Sequence, residues 1–274
     1  MKIAMSGASG FVANALKKIY PDFVVIERND DISTIVQKLE GVDAVFNLAG
    51  APIATRWDEA YKKVLYSSRV DTTRKLVSAI NQSQVEHFIS TSAVGIYPNN
   101  LTCNEECTNI SDDFLGHLAR DWENEARKCE KRTTILRFGV VLGKEGGALE
   151  KMISPFKLGL GGIIGNGRMI MSWIDIDDLV AIYGFVLEHK LEGIFNASSP
   201  NPVNNYHFTK ILGRILRRPT WIPLPSFIVK ILFSEGAVVL LDSKEAYPKA
   251  LLDKGFVFKY ADLESSLRKI LAVS

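Results

Sequence analysis

Two glycines three residues apart, Gly7 and Gly10, are followed at the same interval by Ala13. Before them runs an apolar stretch, Met1 to Met5, and after them Asn14 to Ile19 has helical spacing. A strand that breaks on glycine and enters a helix turns its free backbone N–H groups toward an anion, most often a phosphate. Gly7 permits the tight turn, and Gly10 lets a pyrophosphate come close to the backbone. The pattern is G-x-x-G-x-x-A, with a small residue where helix and strand must pack closely. Glu27 stands 20 residues after Gly7, at the end of the next apolar run, where a dinucleotide site needs an acid.

Further reactive or small residues recur at the ends of later apolar runs. Glu27 and Arg28 point in opposite directions: a carboxylate bonds the ribose 2′-OH of NAD, whereas a guanidinium pairs with the 2′-phosphate of NADP. Leu48-Ala49-Gly50 is small enough for an adenosine and its phosphates to pass. Thr91-Ser92-Ala93 and Tyr97 follow a fourth run, and Phe138-Gly139-Val140-Val141 a fifth. Ser92 is a candidate for holding a substrate oxygen, or a cap or turn serine. Tyr97 is an acid or a packing residue. His117 reads as a surface residue, and Trp122 and Glu123 as parts of a helix with one apolar and one polar face. Of the carboxylates Asp175, Asp177 and Asp178, Asp177 or Asp178 is expected to cap the following helix. No metal site is expected, since Cys103 and Cys107 have no second ligand pair.

The elements that must carry these residues alternate. Strand patterns at 2–6, 23–26, 44–47, 87–91 and 133–137 are separated by helical patterns at 14–19, 31–39, 58–80 and 114–129. This predicts βαβ units and an α/β, Rossmann-like, doubly wound parallel sheet, whose ligands lie beyond the carboxyl ends of its strands. Residues 146–167 are glycine-rich, as either a moving lid or an ordered loop. A helix at 176–188 and a strand near 194–196 rejoin the alternation, and the rest reads as mostly helical. The expected division is a nucleotide-binding domain over 1–145, rejoined by 176–198, and a smaller, mostly helical substrate-side lobe over 146–175 and 199–274.

The 274 residues are 47% hydrophobic, enough to bury a large core, and carry 33 basic against 31 acidic side chains. That balance gives no general reason to expect nucleic acid or an anionic membrane as partner. Phe227 to Leu241, the most apolar stretch, reads as buried helices joined at Gly236 rather than a membrane span. Three cysteines and no targeting pattern at the N-terminus fit a reducing, cytoplasmic setting. A small molecule is the expected partner; an oligomer is left open.

In this order the motifs resemble the extended short-chain dehydrogenase/reductases of the NAD-dependent epimerase/dehydratase type. More narrowly they are similar to the atypical subfamily labelled epimerase family protein, short-chain dehydrogenase/reductase 39U. The stretches are Ser6-Gly7-Ala8-Ser9-Gly10-Phe11, Asn47-Leu48-Ala49-Gly50-Ala51-Pro52, Ser68-Arg69-Val70, Ser90-Thr91-Ser92-Ala93, Leu136 to Gly143, Ser172-Trp173-Ile174 and Asn196 to Val203. Leu240-Leu241-Asp242, Pro248-Lys249 and Gly255 to Phe258 complete the set. The resemblance implies that Gly7, Ser9, Gly10, Phe11 and Val12 hold the pyrophosphate. Arg28 would take the adenosine phosphate. Leu48, Ala49, Gly50 and Thr91 would line the cofactor cleft, and Phe138 to Val141 would lie near the nicotinamide. It tilts the cofactor slightly toward NADP(H) over NAD(H), and sets Trp173 and Asp175 on the substrate side.

Active relatives carry Tyr-x-x-x-Lys on the helix before the fifth strand; with Trp122-Glu123 setting the register, Leu115 and Ala119 stand there instead. Two functions follow. One is an NAD(P)-dependent oxidoreductase or epimerase-like enzyme in which Ser92 positions an oxygen and Tyr97 is one source of protons. The other is a catalytically silent protein that senses the cofactor and acts through a protein partner.

Overall fold

The computed structural model describes residues 1–272. Strands β1 (Ile3–Ser6), β2 (Phe23–Ile26), β3 (Ala44–Asn47) and β4 (His87–Ala93) alternate with helices α1 (Phe11–Leu16), α2 (Ile32–Lys38), α3 (Glu59–Tyr66) and α4 (Thr72–Asn81). A short strand β5 (Leu101–Cys103) precedes α5 (Phe114–Ala126), then β6 (Arg132–Phe138), β7 (Val140–Leu142) and α6 (Gly147–Lys157). After β8 (Ile170–Met171) and β9 (Trp173–Asp175) come α7 (Ile176–Glu188), β10 (Gly193–Ala197), β11 (Val203–Asn204) and α8 (Asn205–Ile215). The chain closes with α9 (Ser226–Phe233), α10 (Val238–Leu241), β12 (Lys244–Ala246), α11 (Lys249–Asp253) and α12 (Leu263–Leu271).

Six strands form one parallel sheet in the order β10-β6-β4-β3-β1-β2. β1 and β3 are wholly buried, as expected where helices cover both faces. On one face α7 buries Ile176, Leu179, Ile182, Tyr183, Val186 and Leu187, a helical spacing that places one stripe against the sheet. On the other, α2 and α4 pack Ile35, Leu76, Val77 and Ile80 against Val45, Phe88 and Ile135. Strand order reverses between β2-β1 and β1-β3, and that switch point opens a crevice at the carboxyl ends of β1 and β3.

Three features differ from the sequence reading. The helix expected over 58–80 is α3 and α4 joined by a π-helical turn, Ser67–Asp71. Residues 147–157 form α6, where glycines at its start and Pro155 within it hid the helical spacing. The segments expected to be mostly helical also contribute strands, which pair with short strands of the first half: β11-β8-β12-β5 and the pair β7-β9. These strands are two or three residues long and pair with distant segments, so no period is visible locally.

Candidate cofactor crevice and its supporting network

Gly7 opens the crevice with φ +67°, and a Cβ there would stand 2.7 Å from the carbonyl carbon of Leu48 and 2.8 Å from the amide nitrogen of Ala49. Only glycine therefore lets the β1 turn lie against the β3 turn. The Gly10 amide donates to the Gly7 carbonyl at 2.9 Å, and Gly10 caps α1. Ser9 and Gly10 are exposed, Phe11 and Val12 half-buried, so the turn is open to solvent on one side. Leu48 and Ala49 are half-buried and Gly50 exposed on the facing side. Below them Ser6 Oγ donates to Asn47 Oδ1 at 2.8 Å, and Asn47 Nδ2 donates to Thr73 Oγ1 at 2.7 Å. These buried bonds hold the ends of β1 and β3 at a fixed spacing.

Phe11 also has a packing role. Its ring lies 2.5 Å from where a Cβ on Gly143 would stand, 2.7 Å for Gly146 and 3.1 Å for Gly147. The three glycines thus admit the ring between α1 and the turn into α6. Phe138 at the end of β6 and Val140 and Val141 in β7 are half-buried, and Gly139 is pressed against Ser172, whose carbonyl would be 2.9 Å from an added Cβ.

The π-helical turn contributes groups that helical spacing did not single out. Arg69 Nη2 donates to the Ala51 carbonyl at 2.9 Å, and the Ala51 amide donates to Ser68 Oγ at 3.1 Å. The wide turn thereby grips the Gly50–Ala51 wall of the crevice. Burial holds the Arg69 guanidinium down to about 10. At the end of β2, Glu27 and Arg28 are both exposed. Lys75 on α4 reaches across to donate to the Arg28 carbonyl at 2.9 Å, so a second cation joins Arg28 at that corner. Nothing in the local sequence pairs residues 28 and 75; the crossing of α4 beside the β2 loop does.

Ser92 and Tyr97 both make buried hydrogen bonds. Strand residues alternate faces, and on β4 Thr91 turns toward α7, its Oγ1 3.4 Å from Tyr183 Oη, while Ser92 turns toward α5. Ser92 Oγ donates to Glu123 Oε1 at 2.8 Å, and only 1% of the residue is exposed. Glu123 is no surface residue: Arg137 grips it through Nε at 2.7 Å and Nη2 at 2.8 Å. Arg137 Nη1 then donates to Tyr97 Oη at 2.8 Å, and Tyr97 donates to Asn196 Oδ1 at 2.8 Å. Burial pushes the Tyr97 phenol up, with Arg137 opposing it. Burial alone would lower the Arg137 guanidinium, but bonds to Glu123 raise it above its ordinary value. Both candidate catalytic hydroxyls are therefore committed to a buried polar chain joining β4, α5, β6 and β10.

The substrate-side residues are likewise internal. Trp173 is fully buried, with Nε1 donating to the Asn201 carbonyl at 2.9 Å. Asp175, also fully buried, is the cap of α7 in place of Asp177 or Asp178; it accepts from the Asp177 amide at 2.9 Å and from Lys269 Nζ at 2.6 Å. Asp178 instead accepts the amides of Lys259 and Tyr260, each at 2.9 Å. Both aspartates thus tie the C-terminal segment to α7. The turn after β5 folds back and brings the sulfurs of Cys103 and Cys107 together, while Cys129 stands apart. Among the described residues no cluster of three or more His, Cys, Asp or Glu could hold a metal. None of the described helices is long and apolar enough to cross a membrane.

A wide cleft of about 970 Å³ is lined by Asn99, Asn166, Arg168, Ser226 and Lys230 among others. Its two acids are already engaged, Glu235 with Lys62 at 2.9 Å and Asp242 with Lys244 at 3.6 Å.

The profile of the NAD dependent epimerase/dehydratase family matches residues 3–198, and that of a domain of unknown function, DUF1731, matches 224–270. The chain belongs to the NAD dependent epimerase/dehydratase family. It is 36% identical to the chloroplastic epimerase family protein SDR39U1 homolog of Arabidopsis thaliana, covering 99% of this chain and 87% of that one. It is 35% identical to the epimerase family protein YfhF of Bacillus subtilis, covering 99% of this chain and 98% of the relative. The crystal structure of human epimerase family protein SDR39U1 with NADPH superposes with a TM-score of 0.92, at 30% identity and over the whole of both chains. The Rossmann-like sheet and the C-terminal domain of this family are thus both present. The DUF1731 match includes Lys259, Tyr260 and Lys269, the residues that Asp178 and Asp175 hold.

Proposed function

We propose that the chain binds NADP(H) in preference to NAD(H), in the crevice between β1 and β3, and serves hydride exchange with a small molecule. The observation that carries this reading is its whole-length likeness to a relative solved with NADPH. The crevice suits such a guest. Gly7 keeps its floor free of side chains, and Leu48 to Gly50 leave room along the wall. Arg28, with Lys75 bonded to its carbonyl, offers positive charge beside Glu27 where a 2′-phosphate would need it. When bound, the nicotinamide supplies or accepts hydride. The chain's own groups do the rest: Arg69 and Ser68 hold the crevice wall, and the Glu123–Arg137 chain keeps the ends of β4 and β6 in register beneath Phe138. On the far side, Arg168 and Lys230 fit an anionic small molecule better than a neutral one.

A second reading is that the protein binds cofactor without turnover and signals to a partner. Two observations favour it. Helix α5 contains neither tyrosine nor lysine, and the hydroxyls of Ser92 and Tyr97 are taken up by buried partners.

Fluorescence titration with NADPH and NADH tests the shared premise, with Gly10→Asp as the control that puts a carboxylate in the phosphate turn. Failure of the wild type to bind either cofactor refutes both readings. Turnover of any carbonyl or anionic sugar substrate in a broad panel supports the enzyme. Tight binding with no turnover supports the sensor.

A further inference from the structure

Helix α9 is apolar yet only Val229 on it is buried, contrary to the expectation of an interior helix. Its exposed side carries Phe227 and Ile231, four residues apart on one face and each more than half exposed. The segment before it brings Trp221, 86% exposed, and Ile222. The loop after α6 runs alongside: the Leu224 amide donates to the Ile163 carbonyl at 2.8 Å and the Gly165 amide to the Leu224 carbonyl at 2.9 Å. That pairing joins to this segment the loop that carries Leu158 and Leu160, 75% and 60% exposed. Three segments therefore present one apolar surface, far more than scattered surface apolar residues require.

Within the segments that form it the charges are of one sign. Residues 151–174 and 193–234 contain no Asp or Glu. Lys157 adjoins Leu158, Arg217 and Arg218 precede Trp221, and Lys230 precedes Ile231. All four are exposed, and none has a carboxylate partner among the described residues. Elsewhere in the stretch Arg214 is paired with Glu264 at 3.0 Å, and Glu235 just after it is taken by Lys62. The near-neutral total charge of the chain conceals this segregation.

We propose that this face docks on a bilayer surface containing anionic lipid. An exposed tryptophan among aliphatic side chains, rimmed by cations, matches the apolar–polar boundary of a membrane and its negative headgroups. A second copy fits less well. In a two-fold dimer the patch would meet itself, setting four cations against four. The lipid-facing surface borders the 970 Å³ cleft, since Lys230 belongs to both.

Trp221 makes the test specific, because Trp57, Trp122 and Trp173 are at most 5% exposed. Purified full-length protein would be mixed with phosphatidylcholine vesicles with and without phosphatidylglycerol, some carrying brominated acyl chains. Sedimentation with the phosphatidylglycerol vesicles, a blue shift of tryptophan emission and its quenching by bromine are expected. Binding should fall about tenfold in Arg217→Gln/Arg218→Gln and fall steeply with salt. Phe227→Ser/Ile231→Ser, checked by circular dichroism for unchanged fold, should lose quenching. No sedimentation with any vesicle, or sedimentation without quenching of Trp221, overturns the proposal. So does a concentration-dependent dimer that Phe227→Ser/Ile231→Ser dissolves, or binding to an acidic protein partner in the absence of lipid affinity.

Discussion

Arg137 and Glu123 meet as a fork on a carboxylate, two parallel hydrogen bonds of 2.7 and 2.8 Å between β6 and α5. Arg137 is 5% exposed and Glu123 1%, so both charges are out of water. The pair is also fully occupied: Ser92 donates to the same carboxylate, and Arg127 reaches it from the surface at 2.8 Å. The hydroxyl of Ser92 thereby helps to lock the sheet to α5.

Removing one partner should be severe, because the other is left charged in the interior. We expect Glu123→Ala to lower stability by about 3–5 kcal/mol. Replacing both, as Glu123→Leu/Arg137→Met, should cost distinctly less than the single change. Urea unfolding of the two variants, side by side, checks the order; equal losses would remove the argument.

Ser92→Ala deletes one hydrogen bond to a charged acceptor and should cost about 1.5–3 kcal/mol of stability. NADPH affinity should stay within twofold of wild type, since Ser92 faces α5 rather than the crevice. Calorimetric melting paired with a binding titration separates the two effects. A large loss of affinity without loss of stability would return Ser92 to the site.

Gly7→Val places a branched side chain at φ +67° and 2.7 Å from the Leu48 backbone. The two turns must then separate. We expect NADPH affinity to fall more than tenfold, with Gly41→Val, where φ is also +67° but no atom lies within 4 Å, as the control for backbone strain alone. Similar binding in the two variants would show that the close approach is unimportant.

Arg28→Ala and Lys75→Ala address the choice of cofactor. Each should weaken NADPH by roughly tenfold, about 1.4 kcal/mol, and leave NADH nearly unchanged. The ratio of the two dissociation constants is the measurement. Equal weakening of both cofactors would place the effect in the loop rather than at a 2′-phosphate.

His87 supplies a pH dependence. Burial, with Arg132 adding to it, depresses its pKa from 6.5 to about 4, and its Nε2 lies 2.8 Å from Thr134 Oγ1. The unfolded chain therefore takes up a proton near pH 6.5 that the folded chain refuses until about pH 4. Stability should decline as pH falls through that window, and the decline should flatten in His87→Gln. Parallel denaturation curves at pH 7 and pH 5 for the two proteins decide it.

The strands at 23–26 and 44–47, the helix at 176–188 and the Gly7–Gly10 turn were readable from the chain alone. Their signals are local, in apolar period, β-branched runs and glycine at a strand end, and the ordered motifs carried the family as well. What the sequence could not supply was the direction in which side chains point and what meets them. Glu123 looked like part of a polar helix face because its partner is 14 residues away on strand β6. Asp175, rather than Asp177 or Asp178, caps α7, and it does so with Lys269, 94 residues on, against it. The short strands of the second lobe pair only across long loops. Lys75 joins Arg28, and α9 keeps its apolar face outward, by the same cause. Burial and pairing are properties of surfaces brought together after the chain has crossed itself. The sequence by itself therefore determined the sheet, the Gly7–Gly10 turn and the family, while only the tertiary structure decided which polar groups remain free to act.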